Sequence, residues 1–247
     1  MALKKKNTSA RSGKFISVAA KETPFAYVEA YKSLRTNIGF LANVSGVRSI
    51  LITSAVPEES KSTTAINLAI TLADSGHSVV LVECDLRKPV LRKYLKRELG
   101  QSGLAAYLAG LVNLEECIAA LPDLGISVIG AGVVPPNPSE LLNSLRMQEL
   151  VELLKQNFDY VLLDAPPVTV VTDAAIVGRL TDGALLVVRA KFASARVIRQ
   201  AKARLENVGI RILGGVLTRF DIKKTGWWFG ERYQNYEYGY GQSRSRR

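Results

Sequence analysis

The chain has little of what metal centres and disulfide frameworks are built from. Its 247 residues include two cysteines, one histidine and two methionines. Cys84 and Cys117 lack metal-ligand spacing, and Cys84 sits inside an apolar run, where a free thiol behaves as a small hydrophobe. A reducing, cytoplasmic setting suits that usage. His77 stands alone, so no histidine-based metal site is available, and it is expected on a solvated turn. No apolar run approaches the roughly 18 to 20 residues that cross a bilayer. The opening MALKKKNTSARSGK is basic and polar with no apolar stretch behind it. Neither a transmembrane span nor a signal peptide is therefore expected. With 47% hydrophobic and 22% charged residues, the chain is also too apolar for wholesale disorder and long enough to bury one full core.

Charge is unevenly placed. The formal net charge is +11, of which residues 1–14 carry +5 and residues 223–247 carry +4, leaving +2 for the body. By composition the body is no nucleic-acid binder. Cationic tails are attracted to anionic surfaces, so they either solubilise the chain or bring it to a membrane face.

From residue 48 to about residue 220, short β-branched runs alternate with helical patterns. Strands are expected at SILITS (49–54), VVLVEC (79–84), ISVIGA (126–131), YVLLDA (160–165), ALLVVR (184–189) and IRILGGVL (210–217). Helical spacing occupies 63–76, 147–158 and 193–209 between them, and 24–44 ahead of them. Continuous apolar strands separated by helices describe a doubly wound, mainly parallel α/β sheet covered on both faces. The expected organisation is a basic tail (1–22), one domain (23–221) and a tail (222–247) rich in Gly, Tyr and Arg that is disordered or loosely docked.

The first strand is followed by AVPEE and then by SKSTT opening an apolar helix. A strand, a tight loop and a helix beginning Lys-Ser is an arrangement that cradles phosphates, because orphan N–H groups and the helix dipole meet the anion there. Lys61 would reach the phosphates and Ser62 would offer its hydroxyl to Mg²⁺. Two further strands end in acids, Glu83 with Asp85, and Asp164, at the edge where open α/β sheets bind ligands. Any one of these acids could equally cap the next helix, but three in this order supply carboxylates for a metal and a candidate base.

These segments resemble the bacterial tyrosine kinases of capsule and exopolysaccharide synthesis, which belong to the deviant P-loop ATPases. The family pattern TSxxPGEGKSTTxxNLA is met by TSAVPEESKSTTAINLA at 53–69. Its second motif is met by VVLVECDLRKP at 79–89, and its third by FDYVLLDAPPV at 158–168, with TDAAIV after it. EAYKSLRTN at 29–37 is similar to the family's ring-assembly motif, which places Glu29, Lys32 and Arg35. Tyr233, Tyr236, Tyr238 and Tyr240 are similar to its autophosphorylated C-terminal cluster. The resemblance implies a P-loop NTPase-type fold and ATP with Mg²⁺ as cofactors. It implies nucleotide contacts from Pro57, Glu58, Glu59, Ser60, Lys61, Ser62 and Thr63, a metal site of Ser62, Asp85 and Asp164, and catalysis by Lys61, Glu83, Asp85 and Asp164. Glu83 takes the role of helping to deprotonate the acceptor tyrosine. It further implies a homo-oligomeric ring, a transmembrane activator of the polysaccharide co-polymerase type, and a place at the inner face of the cell membrane.

The departures fall in the catalytic loop. Glu58 and Ser60 replace both glycines of the family's GEG, Glu83 and Lys32 replace Asp and Arg, and Thr218 stands where an adenine-contacting Asn is expected. Glu58 facing a nucleotide at about 6 Å would oppose binding by roughly 3 kcal/mol at an effective dielectric of about 20; facing outward it would cost little. Three readings stay open: an active kinase, a catalytically impaired scaffold of the same machinery, and a partition-type positioning ATPase. The last is disfavoured by the tyrosine tail and by the lack of a second lysine between Arg48 and Lys61.

Overall fold

The computed structural model describes residues 15–100 and 102–220. A long helix, α1 (Phe25–Ser45), leads into β1 (Ser49–Ser54), α2 (Lys61–Ala73) and β2 (Val79–Glu83). Two single-turn helices, α3 (Leu91–Leu95) and α4 (Leu104–Leu108), precede β3 (Ile118–Leu121) and β4 (Ile126–Ile129). The chain continues through α5 (Pro138–Leu142), α6 (Leu145–Asn157), β5 (Tyr160–Asp164), α7 (Asp173–Gly178), β6 (Gly183–Arg189), α8 (Ala195–Glu206) and β7 (Ile212–Thr218).

The seven strands lie in the order β3-β4-β2-β5-β1-β6-β7, and every neighbouring pair is parallel except β3 with β4. β1, β2 and β5 are buried along their whole length, which is why they read as unbroken apolar runs rather than alternating ones. One core lies between the sheet and the α5–α8 side, and a second lies under α1 and α2. In α2 the residues Ile66, Leu68, Ile70 and Leu72 are at most 1% exposed, each contributing about 1.5–3 kcal/mol by leaving water. Ser144 and Ser194 cap α6 and α8 by accepting the N–H of Met147 and Val197. Gly46 ends α1 in the left-handed region, donating its N–H to Ala42.

The α/β architecture and all six expected strands are present. β3 was not expected: its four residues IAAL lie on the sheet edge, only Leu121 is buried, and two alanines carry little strand signal. Phe15, Ile16 and Val18, assigned to the tail on composition, are held against the domain. Asn67 of α2 accepts the Val18 N–H and donates to the Ile16 carbonyl, each at 2.9 Å, and Phe15 stacks on Tyr94 of α3 at 5.6 Å. Charge counts miss such a segment because it is held by backbone groups and one aromatic ring. His77 is exposed on the turn after α2, edge-on to Tyr160.

Candidate functional site

Because β1, β2 and β5 run parallel and side by side, their carboxyl ends open on one edge, and the loops that leave them converge there. Residues 55–60 cross from β1 to α2. Within them Glu58 has φ 66° and Ser60 has φ 71°, the left-handed region in which a side chain costs on the order of 1–2 kcal/mol. These are the two positions that glycine holds in the resembled pattern, so this loop keeps the backbone course of a glycine loop while carrying side chains.

Glu59, between them, explains how the strain is held. It is fully buried; its carboxylate accepts the N–H of Val56 at 2.9 Å and of Arg189 at 3.2 Å, and its carbonyl accepts the Thr218 hydroxyl at 2.9 Å. The Ser60 carbonyl accepts the Thr64 N–H and hydroxyl at 2.9 and 3.0 Å. The loop is thereby tied to the ends of β6 and β7 and to the first turn of α2, the over-determination that lets a strained backbone persist. Glu59, grouped by the resemblance with the nucleotide contacts, spends its side chain on the amides of Val56 in the loop and Arg189 at the end of β6. Thr218, at the expected adenine-contacting position, spends its hydroxyl on Glu59. Glu58 and Pro57 are exposed, Ser60 and Thr63 half-buried.

Lys61, the first residue of α2, points into the space between the other two strand ends. Its ammonium stands 3.2 Å from Asp85 Oδ2 and 3.4 Å from Asp164 Oδ1, and it donates to Ser62 Oγ at 3.2 Å. Burial alone would lower the Lys61 pKa, but Asp164 and Asp85 outweigh it and hold the pKa above the ordinary lysine value. Asp164 is completely buried, and that burial pushes its carboxyl up against the opposing pull of Lys61. Lys61, Ser62, Asp85 and Asp164 are thus brought together as their spacing implied.

Glu83 is not among them. Its carboxylate, 2% exposed, accepts the N–H groups of Val90, Leu91 and Ala131, holding the β2–α3 loop and the end of β4. Burial raises its pKa although those three amides oppose the shift. The expected aid to tyrosine deprotonation is turned away from Lys61, and Asp85 is the acid after β2 that faces the cleft. Sequence reading also passed over Arg87, quoted in a motif without a role. Its guanidinium grips the buried Asp173 at 2.7 and 3.2 Å and the Ser139 hydroxyl at 2.8 Å, bracing the Asp85 loop against α7 and α5. The paired signal was the Arg of DLRKP with the Asp of TDAAIV.

The donor set suits Mg²⁺ bound together with a phosphate ligand. Among the described residues no group of three His, Cys, Asp or Glu side chains forms a metal cage by itself. Mg²⁺ typically takes only one or two carboxylates and completes its shell with water and phosphates. Asp164 Oδ2 is buried with no hydrogen-bond partner, an oxygen left open beside the Lys61 charge.

On α1, Glu29 and Lys32 pair with each other at 2.7 Å, while Arg35 donates to the Thr71 carbonyl at 3.2 Å. Tyr233, Tyr236, Tyr238 and Tyr240 lie outside the described residues.

A mainly parallel sheet whose interior strand β1 leads through a left-handed loop into a Lys-Ser helix, faced by two aspartates at and just after the neighbouring strand ends, defines a P-loop nucleotide-binding protein. Residues 57–210 match the AAA domain family. The chain is 35% identical over 224 residues to the tyrosine-protein kinase YwqD of Bacillus subtilis (strain 168), covering 91% of this chain and 93% of that one. The solved kinase domain of Escherichia coli tyrosine kinase ETK superposes with a TM-score of 0.77 at 34% identity, covering 87% and 85%. The septum site-determining protein MinD of Pyrococcus horikoshii OT3, solved with Mg-ADP, follows at a TM-score of 0.62 and 25% identity, covering 70% of each chain. This chain belongs to the bacterial tyrosine-protein kinases.

Proposed function

We propose that this protein transfers the γ-phosphoryl group of ATP to tyrosine, that Tyr233, Tyr236, Tyr238 and Tyr240 of its own tail are acceptors, and that the reaction regulates capsule or exopolysaccharide synthesis and export. The observation that carries this reading is the meeting of Lys61 with Asp85 and Asp164 at the mouth of a loop that keeps the glycine-type backbone without the glycines.

In this account the orphan N–H groups at the start of α2, below the Thr64 N–H that bonds Ser60, receive the phosphates. Lys61 leaves the carboxylates for the β- and γ-phosphates. Ser62, Asp85 and Asp164 would hold Mg²⁺, which when bound supplies charge neutralisation on the phosphate oxygens. The tyrosine oxygen attacks the γ-phosphorus as the bond to the ADP oxygen breaks, and ADP leaves with that electron pair. With both aspartates at the metal, Asp85, whose side chain is 8% exposed where that of Asp164 is 0%, is the one that faces the incoming tyrosine, and the tyrosine proton passes to a phosphate oxygen or to water. A tyrosine with a pKa near 10 gains from such an acceptor at neutral pH.

The partners in this reading are a transmembrane activator of the polysaccharide co-polymerase type and further copies in a ring assembled through Glu29, Lys32 and Arg35, at the inner face of the cell membrane. Each phosphorylation adds about −1.5 to −2 charges, so four would reverse the +4 of residues 223–247 and disperse the ring. The scaffold reading rests on the side chains at 58 and 60; the retained φ values there count against it.

The test is phosphotransfer by the full chain with Mg-ATP and the cytoplasmic segment of its activator, mapped by mass spectrometry. Phosphate on the tail tyrosines that is lost in Lys61→Met supports the reading. A folded chain that binds its activator and carries no phosphate refutes it.

A further inference from the structure

The modest +2 of the body conceals a division. Residues 183–220, the β6–α8–β7 unit, hold eight lysines and arginines against one acid, Glu206, whereas residues 15–182 hold fourteen against eighteen acids. That unit is the end of the sheet: β7 is the edge strand, and α8 packs Ala201 and Leu205 inward and leaves its other face to water. The unit therefore carries net +7; a second exposed basic run, residues 87–97 around α3, has three of its six cations, Arg87, Arg92 and Arg97, paired with acids.

Its placement is specific. Ala190 N–H bonds the Thr218 carbonyl at 3.0 Å, which sets Lys191 beside Arg219 where β6 and β7 end. Arg196 and Arg199 are exposed on the first turns of α8, a helix whose twelve residues extend about 18 Å. Among the described residues the unit contains one ion pair, Lys202 with Glu206, and Lys191, Arg196, Arg199 and Arg219 pair with no acid. Apolar side chains are set among these charges: Phe192 is 45% exposed, Leu217 54% and Phe220 42%, and Arg189 lies over the Phe192 ring at 4.4 Å.

We propose that this edge is a docking surface for an anionic lipid bilayer. Three features select that occupant. The cations are spread along a helix and two strand ends rather than converging on one point, which matches a surface and not a single phosphate. Exposed Phe and Leu among Lys and Arg gain from the headgroup–acyl boundary, whereas a nucleic-acid backbone gains nothing from Leu217. Residues 15–182, at net −4, are not drawn to the same lipids as a body, so within the folded domain the attraction is concentrated on the β6–α8–β7 side. Docked so, α8 lies along the membrane, the sheet stands on its β7 edge, and the carboxyl ends of β1, β2 and β5 open sideways, clear of the lipid. This surface is distinct from the basic tails and does not depend on the kinase reading.

The experiment is co-sedimentation of the full chain with phosphatidylcholine vesicles and with vesicles containing about one-third phosphatidylglycerol, at moderate salt. Wild type binds the anionic vesicles and not the neutral ones. Arg196→Glu with Arg199→Glu lowers the partition coefficient at least tenfold with the melting temperature unchanged, since both side chains are exposed. Lys93→Glu with Lys96→Glu, which reverses two exposed charges on and just after α3, serves as the control and loses much less. Equal losses in the two double variants mean that net charge or the tails do the binding, and overturn the proposal. So does an α8 variant that binds as wild type does, or a wild type that ignores the anionic vesicles while retaining duplex DNA, which would give this edge to nucleic acid.

Discussion

Glu59 accepts the backbone N–H of Arg189 at 3.2 Å across 130 residues of chain, and through that bond the phosphate loop is fastened to the end of β6. Its second oxygen holds Val56 in the same loop. A carboxylate in a P-loop invites a reading as a ligand contact, yet here it is a clasp, and its neighbours Glu58 and Ser60 hold their left-handed backbone because it is closed.

Replacing Glu59 by Ala therefore leaves two half-buried amides without their acceptor. Hydrogen bonds to a charged group contribute about 1.5–3 kcal/mol, so the melting temperature falls by about 5–10 °C for a chain of this size. Glu59→Gln keeps one acceptor and loses less than half as much. Equal stability of the Ala variant and wild type would remove the clasp.

Glycine at positions 58 and 60 should have the opposite effect. The relief of two left-handed side chains exceeds the added chain entropy by about 0.5–1 kcal/mol each, raising the melting temperature of Glu58→Gly and Ser60→Gly by a few degrees. The account is contradicted if either variant is destabilised, because that would mean the side chains themselves stabilise the loop.

Lys61→Met separates the roles of lysine and metal. Without the ammonium, Asp85 and Asp164 face each other uncompensated, at a cost of about 3–5 kcal/mol by analogy with other broken buried ion pairs. In chelator its melting temperature drops well below wild type, and millimolar Mg²⁺ restores part of the loss by occupying the vacated carboxylates. Wild type without nucleotide, whose carboxylates are already held by Lys61, shows little response to Mg²⁺. A variant indifferent to Mg²⁺ would argue against the assigned metal ligands.

Asp182 sets an acid limit on stability. Burial would raise its carboxyl pKa, but the N–H groups of Ser49 and Arg48, the Ser49 hydroxyl and Lys155 outweigh that and bring it below the ordinary aspartate value. A depressed carboxylate stabilises the fold above its unfolded pKa of about 3.9, and that contribution is lost as pH falls through the folded value. Thermal melts of Asp182→Asn and wild type should differ at pH 7 and converge below about pH 4; a gap constant with pH would show that charge is not the cause.

How much of this was legible follows from what each signal encodes. β1, β2 and β5 could be read because full burial writes itself as unbroken β-branched runs. β3 could not, since an edge strand of four residues with two alanines has no such mark. Lys61, Ser62, Asp85 and Asp164 were legible because a phosphate helix and strand-end acids have fixed places relative to the strands. Glu83 was not, because the motif says which acid follows the strand and nothing of where its carboxylate turns once Val90, Leu91 and Ala131 present their amides. Residue type argued against left-handed backbone at Glu58 and Ser60, and tertiary bonds to β6 and β7 overrode it. The cationic edge was hidden by averaging charge over the whole body, and is visible when the count is divided by element.

The most direct measurement is a calorimetric titration of Mg-ATP into wild type, Lys61→Met and the Glu58→Gly/Ser60→Gly double variant. The account predicts saturable binding by wild type, none by Lys61→Met, and affinity in the double variant equal to or modestly above wild type, because the loop already holds the glycine course. No binding by wild type, with binding recovered in the glycine variant, would mean that the side chains at 58 and 60 close the site, and would contradict the claim that this loop holds a nucleotide as it stands.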